Sequence, residues 1–559
     1  MINQAEKVFL VSLDGATFDV LRPLMAQGYM PNLSRAMQEG LSADLESVMP
    51  PVTAPAWTSF MTGKDPGKHG IFDFTRFDDQ TYEWKINNSQ HIRSKTIWQI
   101  LTEKQKRVVV LGLPYTYPTY AINGVMVAGW DAPTMSSFTY PEALAKEVFE
   151  VVPDYGSALS LSLWNYLPAD SEADFNEFIA KLVVSFKQSA TLASHFLQKG
   201  KWDVFMVHFQ QTDWIQHKLW GYIERACRDR NDMSKRLEQV RECYRVFDEH
   251  VGQLLEQVKP FNAIKIILSD HGFGPNRGTI YPNHVLRKLG YYHLKPEADS
   301  ALKGAFKHSR HAAVRNVYRF LRETRHAVQG REALKKYKSW ADMANETVSG
   351  EKARVDWKKT KAAFVGGSEA GFIYINVKGR GASGCVEPGE EYERVVASIV
   401  AEFSALANPK TGAKLLLRAV RGCEIYARSS EGVLMPDIVL IPAEGYVAGA
   451  GLSDVVHEES GERGDHRHNG VLMMQGPGIA RDIASWHPEL IDIAPTVLHA
   501  LGLQVPSDMD GRVLEEIFCD PRTVRLEDVD NSRSLEVHDY TGREAELITQ
   551  RLRGLGYVE

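Results

Sequence analysis

The sequence has little cysteine, no strong net charge and no recognisable leader segment, and each absence excludes a class of protein. The five cysteines predict no disulfide framework, because they are odd in number and far apart: Cys227, Cys243, Cys385, Cys423 and Cys519. A formal net charge of −6 on 559 residues indicates no general affinity for nucleic-acid polymers or anionic membranes. The first residues lack the basic region, apolar stretch and cleavage site of a signal peptide, which predicts a cytoplasmic protein.

A long and purely apolar run is also missing. The longest uncharged run, from Val108 to Trp130, is long enough to span a membrane. It contains Pro114, Pro118 and Asn123, so two buried strands joined by a turn are predicted instead. With 44% hydrophobic and 24% charged residues, the chain has the composition of an ordinary globular protein, and we expect no membrane association.

Short apolar, β-branched runs are present along the chain, and several end in small or acidic residues. They are separated by helical patterns, which predicts an α/β fold with a mostly parallel sheet and helices on both faces. In such a fold, ligands bind at the carboxyl ends of the strands, where Asp14 and Asp270 stand. The predicted strands are Val8–Asp14, Arg107–Gly112, Val204–His208, Ile264–Asp270 and Asp437–Ile441.

The range 286–355 interrupts this pattern. From Lys303 to Lys338 there are eleven Lys or Arg residues against two Glu, with apolar residues at helical spacing. We interpret the range as an inserted basic helical cap, which is either a solvated insertion or a positive surface for a phosphorylated substrate or acidic partner. The chain then divides into a first core part (1–285), the cap (286–355), a second core part (356–520) and a C-terminal tail (521–559) with a short helix near Arg543 to Leu555.

Aspartate and histidine residues suited to metal binding occur in several short segments. In QQTDWIQHKLW, Asp213 and His217 are four residues apart, which places both side chains on one face of a helix. In LSDHGFG, Asp270 and His271 stand at a predicted strand end, and the loop GERGDHRHNG holds two further histidines. Each segment alone also has an ordinary explanation as a surface pair, a tight turn or a polar loop.

Taken together, these residues indicate a metal centre. Three Asp, with Asp14 among them, and three His would supply two oxygen/nitrogen sites suited to Zn²⁺. In SVMPPVTAPAWTSFMTG, Thr53 stands at the start of a predicted helix, where it either caps the helix or holds its hydroxyl for chemistry. Two metals about 4 Å apart can activate an attacking oxygen and stabilise a leaving one during phosphoryl displacement.

The order of these motifs resembles the alkaline phosphatase superfamily, in its nucleotide pyrophosphatase/phosphodiesterase (type I phosphodiesterase) branch. The matching segments are VSLDGA, PPVTAPAWTSFMTGKDPGKHGI, QTDWIQH, LSDHGFG, GDHRHNGVLMMQGPGI and DIAPTVLHALGLQVPSDMDGR. They span nearly the whole chain in the family's order. The resemblance implies an alkaline-phosphatase-like three-layer α/β/α core with an inserted helical cap.

Carried over by position, the resemblance implies two bound Zn²⁺, or another divalent ion such as Mn²⁺. The ligands of one ion would be Asp213, His217 and His466. The ligands of the other would be Asp14, Asp270 and His271. Thr53 would bridge to the second ion as the nucleophile and form a phospho-threonine intermediate that water hydrolyses. His468 is the rival to His466, and the residues around the motif favour His466.

One position departs from the family. Where the branch has an Asn that holds a phosphate oxygen, HGIFDF has Phe74, which either stacks on an aromatic leaving group or packs in the core. The replacement phosphate donor is predicted among the basic residues of the cap and Lys64, Arg76 and Asn283. The choice between stacking and packing also applies to three tryptophans, for which core packing is the default: Trp57, Trp164 and Trp214.

These motifs favour a zinc-dependent hydrolase of phosphodiester or pyrophosphate bonds in a small phosphorylated molecule such as a nucleotide. A phosphomonoesterase or phosphotransferase with the same two-metal site is the first alternative. A non-catalytic metal-bound module whose basic cap recruits a partner is the second. A sulfatase is disfavoured because the Cys/Ser-x-Pro-x-Arg signature is missing, and a phosphoglycerate mutase because that branch uses serine. We expect no nucleic-acid polymer as a partner and leave the oligomeric state open, with a homodimer as one alternative.

Overall fold

The computed structural model describes residues 7–133, 137–156, 171–300, 355–365, 371–426, 432–453, 456–483, 485–520, 523–528 and 539–555. Its largest sheet has eight strands, which are numbered along the chain. In their order across the sheet, the strands are β2 (Leu41–Glu46), β17 (Asn469–Gln475), β9 (Ile264–Leu268), β1 (Val8–Leu13), β8 (Val204–Phe209), β5 (Val108–Leu113), β6 (Gly124–Ala128) and β7 (Thr139–Tyr140).

The centre of this sheet is parallel. Strand β1 pairs in parallel with β8 and β9, and β5 pairs in parallel with β6 and β8. Toward the edges, β17 pairs antiparallel with both β9 and β2, and β7 pairs antiparallel with β6. Every residue of β1 and β8 is buried, and successive side chains of a strand point to opposite faces. Both faces of the sheet are therefore covered, which confirms the predicted α/β fold with its mostly parallel sheet.

The helices of both sheets are numbered together along the chain. They are α1 (Phe18–Ala26), α2 (Pro31–Glu39), α3 (Thr53–Thr62), α4 (Pro66–His69), α5 (Ile97–Glu103), α6 (Leu144–Val151), α7 (Glu172–Gln198), α8 (Gln211–Arg228), α9 (Lys235–Val258), α10 (Pro282–Lys288), α11 (Glu390–Ser404), α12 (Gly422–Ile425), α13 (Ile493–Ala500) and α14 (Gly542–Leu555). Short 3₁₀ turns occur at Ser89–His91, Lys259–Phe261, Leu490–Asp492 and Glu515–Ile517.

A separate four-stranded antiparallel sheet lies later in the chain, in the order β11 (Ala362–Val365), β12 (Gly371–Ile375), β14 (Ile438–Pro442) and β13 (Leu416–Arg421). It has a hydrophobic core of its own, to which α11 contributes. The prediction that Asp437–Ile441 belongs to the parallel sheet is wrong, because β14 pairs with β12 and β13. A buried apolar run looks the same in either sheet, and long-range pairing decides between them.

This second sheet lies within the range 356–520, which the sequence predicted to continue the core. Of the predicted basic cap, residues 301–354 lie outside the described part of the chain. The uncharged run from Val108 to Trp130 forms β5 and β6, which confirms the prediction of two buried strands. Among the described residues, no helix combines the length and the apolar character that crossing a membrane requires.

A third sheet positions part of the site. Its strands are β15 (Tyr446–Ala448), β10 (Gly272–Ile280) and β16 (His457–Arg467), in that order. Strand β10 continues the chain just after β9, and its Phe273 lies opposite His466 of β16. The pairing therefore brings a residue from late in the chain to the carboxyl end of the central sheet. Two small ribbons complete the structure: β3 (Thr75–Asp78) with β4 (Glu83–Ile86), and β18 (Val505–Pro506) with β19 (Leu526–Glu527).

Candidate metal centre

Six buried side chains converge at the carboxyl end of the central sheet as two groups of three. The Asp213 cluster consists of Asp213, His217 and His466, and the Asp14 cluster consists of Asp14, Asp270 and His271. Within each cluster, the potential ligand atoms all lie within 4.8 Å of one another. These are the two triplets that the resemblance implied. The rival His468 lies outside both of them, with its Nε2 3.2 Å from Glu46 Oε1.

The topology explains why the clusters form. Asp14 directly follows β1, and Asp270 and His271 come just after β9, the parallel neighbour of β1. Neighbouring parallel strands end at the same edge of a sheet, so these three side chains meet. Asp213 and His217 lie one turn apart on α8, which follows β8 on the other side of β1. The pairing of β10 with β16 brings His466, the third member of that cluster, to the same place.

In the Asp14 cluster, three buried lone-pair atoms face one another. His271 Nε2 lies 3.6 Å from Asp14 Oδ1 and 3.3 Å from Asp270 Oδ2. Among the described residues, none of these three atoms has a hydrogen-bond partner. His271 Nδ1 lies 3.0 Å from the Gly272 carbonyl oxygen and donates to it, which leaves Nε2 with its lone pair. Buried acceptors directed at one point fit a bound cation, since such atoms are otherwise costly to bury.

The Asp213 cluster has a similar geometry. His217 Nε2 lies 2.9 Å from His466 Nε2, and the two nitrogens lie 3.3 and 3.4 Å from Asp213 Oδ1. One carboxylate oxygen and two imidazole nitrogens form a donor set that suits Zn²⁺. The rings of His466 and His271 stack with their centroids 3.9 Å apart, so the two clusters are adjacent.

Burial and mutual charge shift the pKa values of these groups in different directions. Burial raises the pKa of Asp14, and the nearby Asp270 and Asp213 carboxylates raise it further. Burial is also the main cause that raises the pKa of Asp270 to about 8. Burial would raise the pKa of Asp213 as well, but His217 and His466 outweigh it and hold the pKa well below its usual range. Burial lowers the pKa of His271. A divalent cation would favour charged carboxylates and neutral imidazoles in all of these positions.

Thr53 is the first residue of α3, and it is fully buried. The alternative in which Thr53 caps this helix is wrong, because Val52 occupies the cap position. One turn further along α3, the indole Nε1–H of Trp57 donates to Asp14 Oδ2 at 2.8 Å. The amino end of α3 is therefore attached to the Asp14 cluster, and its helix dipole favours negative charge at Thr53.

The four predicted substrate-binding residues all contact protein partners. Phe74 is 3% exposed, and its ring centroid lies 6.2 Å from that of Tyr115 and 5.9 Å from that of Trp130. It is thus packed in the core. The Nζ of Lys64 lies 2.5 Å from Asp508 Oδ2, and the Lys64 side chain is 5% exposed. Neither contact identifies a phosphate donor.

Arg76 and Asn283 likewise bind within the protein. Arg76 donates to the carbonyl oxygen of Ile86 and to the carboxylate of Asp539 in the C-terminal tail. Asn283 accepts from the backbone N–H of Phe364 at 2.9 Å and donates to its carbonyl oxygen, which attaches α10 to the second sheet. The phosphate-binding role of these residues stays a prediction, and most of the basic cap lies outside the described residues.

Trp57 is the contact that the sequence reasoning missed. The sequence predicts core packing for Trp57, Trp214 and Trp164 alike; Trp214 is buried, and Trp164 lies outside the described residues. The signal that could have identified it is spacing, because Thr53 and Trp57 are four residues apart and share one face of α3. A side chain on the same helix face as Thr53 is well placed to reach the Asp14 cluster.

Comparison with known proteins agrees with this geometry. The sequence profile of the family described as type I phosphodiesterase / nucleotide pyrophosphatase matches residues 8–469. The structure resembles phosphonoacetate hydrolase from Sinorhizobium meliloti 1021 in complex with phosphonoformate, with 15% identity, a TM-score of 0.52 and coverage of 90% of this chain and 96% of that chain. Human ectonucleotide pyrophosphatase / phosphodiesterase 5 aligns with 14% identity and a TM-score of 0.49, over 92% of this chain and 100% of that chain. No curated protein matches the sequence.

Two adjacent Asp/His clusters at the ends of the parallel strands of an α/β core are the arrangement of a metal-dependent hydrolase. The chain belongs to the type I phosphodiesterase / nucleotide pyrophosphatase family. Its activity is therefore of the phosphodiesterase type, directed at phosphodiester or pyrophosphate bonds.

Proposed function

We propose that this protein is a zinc-dependent hydrolase that cleaves phosphodiester or pyrophosphate bonds in a small molecule, such as a nucleotide, through a phospho-threonine intermediate at Thr53. The observation that carries the proposal is the attachment of α3 to the Asp14 cluster through Trp57 and Asp14. This contact brings the amino end of the helix that begins with Thr53 to a metal-binding group.

Zinc is proposed because of the donor set. The two clusters together offer three imidazoles and three carboxylates, all buried. Mg²⁺ and Ca²⁺ prefer oxygen ligands alone, whereas Zn²⁺ is held by mixed nitrogen and oxygen ligands. One ion in each cluster would lower the pKa of a nearby hydroxyl and balance the charge of a phosphoryl group.

The chain's own residues then account for the steps. The Thr53 hydroxyl gives up its proton, and its oxygen forms a bond to phosphorus while the bond between phosphorus and the leaving oxygen breaks. The leaving group departs as an alcohol or a phosphate after taking up a proton. Water attacks phosphorus next: its oxygen bonds to phosphorus, the bond between phosphorus and the Thr53 oxygen breaks, and one proton of the water restores the Thr53 hydroxyl. The amino end of α3 favours the negative charge on the Thr53 oxygen throughout.

Three chromogenic esters test the substrate class on zinc-loaded protein: bis-p-nitrophenyl phosphate, p-nitrophenyl phosphate and thymidine p-nitrophenyl phosphate. We expect both diesters to be hydrolysed faster than the monoester. A monoester rate equal to or above the diester rates contradicts the proposal and favours the phosphomonoesterase alternative. Zinc-loaded protein that hydrolyses none of the three favours the non-catalytic alternative.

A further inference from the structure

Two carboxylates of the centre use one oxygen for their cluster and the other for a donor outside it. Asp14 directs Oδ1 toward its cluster, while Oδ2 accepts from Trp57 Nε1 at 2.8 Å. Asp213 likewise directs Oδ1 toward the imidazoles of its cluster, while Oδ2 accepts from Gln210 Nε2 at 3.3 Å. An outside donor on one oxygen fixes the rotation of the carboxylate and so directs the other oxygen.

A buried relay of hydrogen bonds fixes the amide of Gln210. Because its NH₂ group donates to Asp213, its Oε1 faces His208 Nε2 at 2.9 Å, and that nitrogen must be the donor. His208 Nδ1 then accepts from Ser12 Oγ at 2.8 Å.

The contact of Trp57 with Asp14 is the first arm of this network, and the contact of Gln210 with Asp213 is the second arm. The two arms meet at His208. Its Nε2 lies 3.5 Å from Asp14 Oδ2, the oxygen that accepts from Trp57. The rings of Trp57 and His208 pack edge to face with centroids 5.1 Å apart. Trp57, His208 and Gln210 are all at most 4% exposed, so water does not compete for these contacts. One buried network thus touches a carboxylate in each cluster.

We propose that Trp57 and Gln210 are positioning residues, which orient Asp14 and Asp213 so that each carboxylate presents its other oxygen to a divalent cation. Both side chains act through a ligand. The inference rests on the proposed function, because it requires a cation in each cluster. Partners that orient metal ligands typically change metal affinity by about 10- to 100-fold when they are removed.

Trp57→Phe tests the first arm, and Trp98→Phe is its matched control. Trp98 is 1% exposed and packs against Phe60, as Trp57 does, but its Nε1 has no hydrogen-bond partner among the described residues. Metal-free protein is titrated with Zn²⁺ in competition with a chromophoric chelator. We expect wild type to bind two ions, W57F to bind one of them about 10- to 100-fold more weakly, and W98F to match wild type.

Gln210→Leu tests the second arm, with Gln211→Leu as its control. Gln211 is an adjacent buried glutamine whose Nε2 donates to Ser185 Oγ at 2.8 Å and not to a ligand. We expect Q210L to lower the affinity for one zinc ion and Q211L to leave both affinities unchanged. The double variant W57F/Q210L should lower the affinity for both zinc ions.

Thermal unfolding followed by circular dichroism checks that each variant is folded. Folded W57F and Q210L that keep both wild-type zinc affinities overturn the positioning role, while the proposed function still holds for a wild type that binds two ions. A wild type that binds no zinc overturns the proposed function and the positioning role together. The two failures are therefore distinguishable in one titration series.

Discussion

The position of Thr53 in the fold supports its proposed role as the nucleophile. As the first residue of α3, it lies at the positive end of the helix dipole, one turn before the Trp57 contact with Asp14. Thr53→Ala should lower hydrolysis by about 10³-fold or more, because the proposed mechanism uses the Thr53 hydroxyl as its nucleophile. The rate on bis-p-nitrophenyl phosphate measures this loss.

Thr58→Ala is the matched control for that variant. Thr58 is also fully buried on α3, but its Oγ1 donates to the Ala54 carbonyl oxygen at 2.8 Å. We expect T58A to keep its activity and T53A to keep its bound zinc. A T53A protein with near wild-type turnover contradicts the nucleophile assignment.

The two histidines of GERGDHRHNG, His466 and His468, differ in burial. His466 is fully buried within 3.4 Å of Asp213 Oδ1, while the His468 side chain is 37% exposed beside Glu46. His466→Ala should release one of two zinc ions, and His468→Ala should release none, as metal analysis of the purified proteins would measure. Equal zinc contents in the two variants would mean that His466 is not a ligand. His466 lies within β16, opposite Phe273 of β10, whereas His468 follows the last residue of that strand.

At the scale of the elements, the segment that follows β6 contains a buried carboxylic acid, Asp131. Asp131 Oδ2 accepts from the Tyr115 backbone N–H at 2.9 Å, and Oδ1 has no hydrogen-bond partner among the described residues. Burial is the main cause that raises the pKa of Asp131 to about 7. The folded state therefore holds a proton that the unfolded state releases above pH 4, so stability falls as pH rises from about 4 to 7.

Asp131→Asn should remove this dependence. The variant should gain stability relative to wild type as pH rises through that window, by at most roughly 4 kcal/mol, since the Asn oxygen can still accept from Tyr115. Urea unfolding at pH 5 and pH 8 measures the difference. Parallel pH profiles for the two proteins would show that Asp131 is ionised in both states.

Elements with strong local patterns were predictable, and their partners were less so. The apolar run of β1 and the spacing of Asp213 and His217 on α8 follow rules that involve only a few neighbouring residues. Strand β14 was assigned to the wrong sheet because its apolar residues carry no information about which strand lies beside it. The burial of Phe74 against Trp130 depends in the same way on contacts between distant segments.

For the whole molecule, bound metal should contribute to stability as well as to catalysis. The Asp14 cluster buries two carboxylates and an imidazole whose facing atoms have no hydrogen-bond partner among the described residues. Zinc that binds only the folded state adds about 2.7 kcal/mol per site when its free concentration is 100 times its Kd. A chelator should therefore lower the midpoint of thermal unfolding, and added Zn²⁺ should restore it. An unchanged midpoint contradicts metal binding to the folded state.

The sequence by itself determined the residue types of the centre, their grouping on strand ends and on one helix face, and the parallel core that unites them. These features follow from local periodicity and from the order of short motifs. Only the tertiary structure decided which oxygen of each carboxylate faces its cluster, which histidine of GERGDHRHNG is buried in strand β16, and that Trp57 contacts Asp14. Such contacts join residues 43 positions apart for Trp57 and Asp14, and 249 apart for His217 and His466, so no local pattern encodes them. The physical reason is burial: once water is excluded, each polar atom must find its partner among whichever segments the fold brings together.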